Sequence, residues 1–127
     1  MNKKDLSLYT FYCIIISLLF GCSAMQEQNT ATIELDANAT TGYTWVYTMS
    51  PEDVVHEVSN KYIPDENPEK KPGVGGKQVF TFEAISKGEA ELVFSYLREW
   101  ETGVPPVRIK TYRAIVDNKN NLVLKEK

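Results

Sequence analysis

An all-β fold, an antiparallel β-sandwich of about seven strands and immunoglobulin-like type, is predicted by three features of this chain. Apolar residues recur at every second position in most segments, Gly, Asn, Asp, Ser and Pro separate the segments, and helical periodicity is almost absent. An apolar fraction of 43% across 127 residues suits one packed core, and neither a repeat nor a second domain interrupts it.

The first strand is ATIELD (31–36), with Ile33 and Leu35 on one face. YTWVYT (43–48) sets Tyr43, Trp45 and Tyr47 on a common face, and Trp45 at its centre belongs in the core of such a sandwich. A weaker segment, 54–63, is broken by Pro64. QVFTFEAI (78–85) aligns Phe80, Phe82 and Ala84, and GEAELVFSYL (88–97) aligns Ala90, Leu92, Phe94 and Tyr96. Both patterns are those of half-buried strands. PVRIKTYRAIV (106–116) loses its alternation near Lys110 and Thr111, which predicts a β-bulge, and NLVLK (121–125) makes a short last strand.

Residues 1–21 stand outside this pattern. Lys3 and Lys4 precede FYCIIISLLF (11–20), a run too short to cross a bilayer comfortably and followed at once by small residues, which is the layout of a secretory signal peptide. Leu19-Phe20-Gly21-Cys22 resembles the lipobox of bacterial lipoproteins, where the chain is cut before the cysteine and the thiol receives a diacylglyceryl group. That resemblance makes Cys22 a lipidation site, 22–30 a lipidated tether and 31–127 the folded domain. It implies a cell-envelope lipoprotein, periplasmic or on the outer face of a membrane; ordinary cleavage after Ala24 would give a secreted protein instead.

Several function classes are disfavoured. Cys13 and Cys22 are the only cysteines, so the mature domain keeps no thiol for a disulfide, a metal site or a nucleophile. Net charge is −3 with a pI near 5.2 and no basic stripe, which argues against nucleic acid as a partner. His56 is the sole histidine and Ser95 lies mid-strand without a base, so no catalytic residues assemble. Glu89 and Glu91 alternate on a solvent face, so neither a metal nor another cofactor is expected. What remains is a binding domain, expected as a monomer.

The loops locate its binding end. With strands running up and down, the first, third and fifth connections share one pole. The second, fourth and sixth share the other, where Ser86-Lys87-Gly88 and Asp117-Asn118-Lys119-Asn120 are plain tight turns. The first pole gathers NATTG (38–42), PDENPEKKPGVGGK (64–77) and REWETGVPP (98–106), and loops held by a rigid sandwich commonly bind partners. Each has a plainer alternative: a simple turn, a flexible Gly-rich connector, and a Trp100 folded back over the sandwich edge.

Three short motifs in these loops resemble the chagasin family of protein inhibitors of papain-like cysteine proteases. They are Asn38-Ala39-Thr40-Thr41-Gly42-Tyr43, Gly73-Val74-Gly75-Gly76 and Arg98-Glu99-Trp100, with Ala39 and Glu99 standing where that family carries prolines. The resemblance implies an immunoglobulin-like sandwich and an inhibitor rather than an enzyme. It also implies that the first loop enters the active-site cleft while the other two grip its flanks. Thr40 and Thr41 would then face the catalytic dyad, small side chains with hydroxyls to offer and little rotamer freedom to lose. Gly42 would allow a sharp turn into Tyr43, the glycines 73, 75 and 76 a close main-chain approach, and Trp100 beside Arg98 an interface anchor. A different class remains open at this point, a surface-anchored immunoglobulin-like adhesion lipoprotein that binds a sugar or a protein through Trp100.

Overall fold

The computed structural model describes residues 28–127; the expected signal peptide (1–21), Cys22 and most of the expected tether lie outside the described residues. Among these residues seven strands alternate with loops: β1 (Thr30–Ala37), β2 (Thr44–Ser50), β3 (Val55–Pro64), β4 (Gly76–Ala84), β5 (Gly88–Leu97), β6 (Arg108–Val116) and β7 (Leu122–Glu126). They form two antiparallel sheets, ordered β1-β4-β3 and β2-β5-β6-β7. The all-β sandwich expected from the alternation is the architecture observed.

Period-two patterning decides what each strand buries. Ile33, Leu35 and Ala37 of β1, Phe80, Phe82 and Ala84 of β4, and Ala90, Leu92, Phe94 and Tyr96 of β5 all turn inward and are buried. Trp45 joins them at 2% exposure, whereas Tyr43 and Tyr47 are half-buried at the rim of the same core. The centre is aromatic: Tyr47 meets Phe82 and Phe94 at ring separations of 5.3 Å each, and Phe80 meets Phe94 edge-on at 5.1 Å. Edge-on and tilted contacts of this kind add to what burial alone contributes.

Gln78 is the polar member of the inward set of β4, and its carboxamide fastens one sheet to the other. Its Oε1 accepts from the Trp45 N–H at 2.9 Å while its Nε2 donates to the Trp45 carbonyl at 3.1 Å. A side chain thus mimics a strand partner for β2. A buried amide left unpaired would cost about 1–3 kcal/mol, and here both of its ends are satisfied.

Two expectations about strand regularity need correction. No bulge occurs at Lys110 and Thr111: β6 pairs with β5 in unbroken register from Arg108, opposite Tyr96, to Val116, opposite Gly88. The alternation in fact continues, but its inward positions near the loop pole are Lys110 and Arg108. The Arg108 guanidinium lies 4.8 Å from the Tyr96 ring and 5.6 Å from the Trp45 ring, so a cation covers the end of the sandwich at this pole. The register shift falls in β3 instead, between Glu57 and Ser59. Pro64 does not break β3 but is its last residue, a position that an edge strand tolerates.

Charge pairing outside the core gives the fold its pH dependence. Hydrogen bonding to Lys77 holds the Asp36 carboxyl below its ordinary range; Lys127 does the same for Glu91, and the backbone N–H of Asn121 for Asp117. Folded-state values below the unfolded ones mean stability present near neutrality and lost as pH falls below about 4. On the alkaline side, burial first and then the Glu57 carboxylate push Tyr47 up to about 12, and Tyr112 is raised mainly by burial. Raised values give stability that is complete below about pH 10 and lost above it. A series of thermal melts is therefore expected to show a plateau between these limits and falling midpoints on both sides. Replacing Asp36 by Asn should flatten the acid limb slightly, as an exposed pair allows.

Candidate functional site

The register fixes which loops meet. Ala37 stands opposite Gly76, Gly76 opposite Pro64, Thr44 opposite Leu97, and Tyr96 opposite Arg108. The connections 38–43, 65–75 and 98–107 therefore leave the sandwich at one pole.

The first loop is built on Asn38. Its backbone is extended (φ −136°, ψ 101°), and its side chain caps a single 3-10 turn, Ala39–Thr41. The Oδ1 atom accepts from the Thr40 N–H at 3.1 Å and from the Thr40 hydroxyl at 2.6 Å, the hydrogen-bonding habit that makes Asn a favoured cap. The Thr41 hydroxyl donates to the Asn38 carbonyl at 2.7 Å and accepts from the Tyr43 N–H at 3.3 Å. Gly42 then closes the turn at φ 80°, the left-handed conformation that side chains disfavour. Ala39, Thr40 and Thr41 stand exposed at the tip, with Asn38 half-buried behind them.

Aromatic rings support this turn from below. The Asn38 N–H donates to the Tyr96 hydroxyl at 2.9 Å, and the Tyr96 ring stacks on Trp45 at 4.9 Å and lies 5.3 Å from Tyr43. Through that stack the loop rests directly on the core.

The other two loops brace the first from either side. On one flank Asn38 Nδ2 donates to the Gly73 carbonyl at 3.0 Å. Gly73 has φ 77° and open space around it, but the neighbouring glycines have internal reasons to be glycine. A Cβ on Gly75 would come within 3.2 Å of the Ala37 carbonyl, and one on Gly76 within 2.4 Å of the Ile63 carbonyl. Gly76 is buried in β4, where it brings β1 and β3 together.

On the opposite flank Arg98 Nε donates to the Thr41 carbonyl at 3.0 Å, its guanidinium lies 4.3 Å from the Tyr43 ring centre, and Nη1 pairs with Glu101 at 3.0 Å. Trp100 is 68% exposed, so it is not folded into the sandwich edge. Its ring covers Gly42 so closely that an alanine Cβ there would lie 2.2 Å from Cη2. Val104 and Val107 continue this flank, each more than half exposed.

All ten residues singled out in the sequence as binding candidates thus lie at this pole: Asn38, Thr40, Thr41, Gly42, Tyr43, Gly73, Gly75, Gly76, Arg98 and Trp100. Their side chains do unequal work. Both threonine hydroxyl protons are engaged within the loop, so the tip presents methyl groups and oxygen lone pairs rather than free donors. Periodicity could not reveal the bracing by Arg98 or the clamp by Gln78, although a glutamine at an inward strand position is a legible sign of a buried polar group that needs partners.

Comparison with known proteins agrees with this architecture. The family model described as Chagasin family peptidase inhibitor I42 matches residues 24–116. Among solved structures, the cysteine protease inhibitor EhICP2 from Entamoeba histolytica is 24% identical, with a TM-score of 0.62 over 69% of this chain and 78% of that one. The solution structure of Amebosin is 26% identical, with a TM-score of 0.49 over 70% of this chain and 79% of that one. No curated protein matches. The family model spans all three loop motifs and six of the seven strands, and the chain belongs to the chagasin family of peptidase inhibitors, which are inhibitors rather than enzymes.

Proposed function

We propose that the protein is a reversible, steric inhibitor of papain-like (clan CA) cysteine proteases, with the 38–42 loop as a wedge in the active-site cleft. The observation that carries this is the braced and exposed tip: Ala39, Thr40 and Thr41 project beyond a turn already held by Asn38, Arg98 and the Tyr96 stack. A wedge competes with substrate only if it is ordered before contact, because each side chain immobilised on binding costs about 0.5–1.5 kcal/mol. Internal hydrogen bonds here supply the order that prolines at 39 and 99 would supply by restricting φ. Gly73 and the main chain beside it form one flank of the contact surface, and Trp100 with Arg98 forms the other. A standard inhibitor interface buries about 1,600 Å² in total, an area that three converging loops can provide.

Thr40→Arg and Thr41→Arg test the wedge. Each is expected to weaken inhibition of papain at least tenfold (about 1.4 kcal/mol), with the melting temperature barely changed because both positions are exposed. A variant that inhibits as well as the parent would remove the loop from the cleft.

The same proposal includes the anchor. Gln28 and Asn29 are held at the pole opposite the three loops, by the Leu122 N–H donating to the Gln28 carbonyl at 2.9 Å and the Ala84 N–H donating to the Asn29 carbonyl at 2.8 Å. A lipid on Cys22 would therefore leave the wedge pointing away from the membrane. Acyl chains contribute about 0.8 kcal/mol per buried methylene, so Cys22→Ser is expected to release the protein from membranes or leave it unprocessed. Metabolic labelling with a radioactive fatty acid checks this; a parent protein that takes up no label excludes the anchor.

A further inference from the structure

We infer that Asn38 is a positioning residue that touches no enzyme, and that the Thr40 hydroxyl acts on the enzyme only through it. This rests on the inhibitor function proposed above. Asn38 lies behind the tip and spends all of its polar groups inside the protein. Its backbone N–H goes to Tyr96, its carbonyl to the Thr41 hydroxyl and N–H, its Oδ1 to both donors of Thr40, and its Nδ2 to the Gly73 carbonyl. One side chain therefore does two things at once. It holds the wedge in a single turn, and it ties that turn to the Gly-rich loop on the flank. Asn forms such local turns because its carboxamide carries an acceptor and donors on one short stem.

The Thr40 hydroxyl donates its proton to Oδ1 at 2.6 Å, the shorter of the two bonds that Oδ1 accepts from Thr40. What Thr40 then offers outward is its methyl group and a lone pair. The affinity attributed to this hydroxyl would come from a preformed loop rather than from a bond to the protease. Such indirect action has a signature: two residues in one network are non-additive, whereas independent contacts add.

The experiment is a double-mutant cycle with papain and the purified domain. Asn38→Ala is expected to raise the inhibition constant about tenfold, and Thr40→Val about three- to tenfold in the parent. In the Asn38→Ala background, Thr40→Val should add no further loss. Asn38→Asp keeps an acceptor for Thr40 while losing the donor to Gly73, so it should inhibit better than Asn38→Ala and restore the sensitivity to Thr40→Val. Equal losses from Thr40→Val in both backgrounds would show a direct hydroxyl contact and overturn the inference, as would an Asp variant no better than alanine.

Hydrogen exchange on the free parent domain provides a readout that needs no enzyme and no variant. The Thr40 amide, bonded to Asn38 Oδ1, should be protected relative to the amide of the exposed Asn118, and a rate equal to that of a free amide would overturn the ordering role itself. Should the parent fail to inhibit papain, the proposed function falls on that result. The exchange rates then still decide whether Asn38 orders the loop.

Discussion

Trp45→Ala is expected to destabilise the domain by about 3–5 kcal/mol, a large part of what a domain of this size has. Trp45 is 2% exposed, stacks on Tyr96, donates from Nε1 to the Asp36 carbonyl at 2.9 Å, and carries on its own backbone both hydrogen bonds of the Gln78 clamp. Truncation opens a cavity at the point where the two sheets are tied and removes the base of the ring stack beneath Asn38. Trp100→Ala should behave in the opposite way. With 68% of its surface exposed it contributes little to folding, so its melting midpoint should barely move while the inhibition constant rises at least tenfold, or about 1.4 kcal/mol. Calorimetry and inhibition assays on the two variants separate core from interface. A Trp100→Ala protein that melts much earlier, or inhibits unchanged, would contradict the assignment.

Gly42→Ala is the second change with a large expected effect, because two independent constraints meet at that residue. The left-handed backbone alone costs an alanine roughly 1–2 kcal/mol. Beyond that, the new methyl would stand 2.2 Å from Trp100 Cη2, so either the indole leaves its place or the turn opens. Both outcomes damage the same surface: the wedge loses its shape, or the flank loses its aromatic group. Inhibition should fall by more than tenfold, exceeding the effect of Trp100→Ala alone. If Trp100 is the group that yields, Gly42→Ala in a Trp100→Ala background should regain part of its loss, leaving only the backbone cost.

Much of this was legible in the chain, for a physical reason. Alternation reports which face of a strand is buried, and β1 and β5 alternate cleanly because their inward positions are apolar, as are those of β4 from Phe80 to Ala84. Loop placement followed from parity, since antiparallel strands put every other connection at the same end. The misplaced bulge shows the limit: Arg108 and Lys110 are inward by register but polar by type, and Arg108 reaches the Trp45 and Tyr96 rings while the strand stays in register. The glycines show another. Gly75 and Gly76 look like a flexible connector in sequence, whereas Gly76 is buried where a Cβ would strike the carbonyl of Ile63, a reason that only the third dimension supplies. The threonines show a third: a hydroxyl at an exposed loop tip reads as a contact group until its proton is found inside the turn.

Titration of papain with the purified domain, followed with a small fluorogenic peptide and with the inhibitor's own integrity checked by mass spectrometry, tests the central claim most directly. A wedge without chemistry predicts complete, competitive and reversible inhibition at one inhibitor per enzyme, with the 38–42 loop uncut after long incubation. Undiminished peptide hydrolysis at a large excess of the domain would contradict it, and so would inhibition that fades as the loop is cleaved.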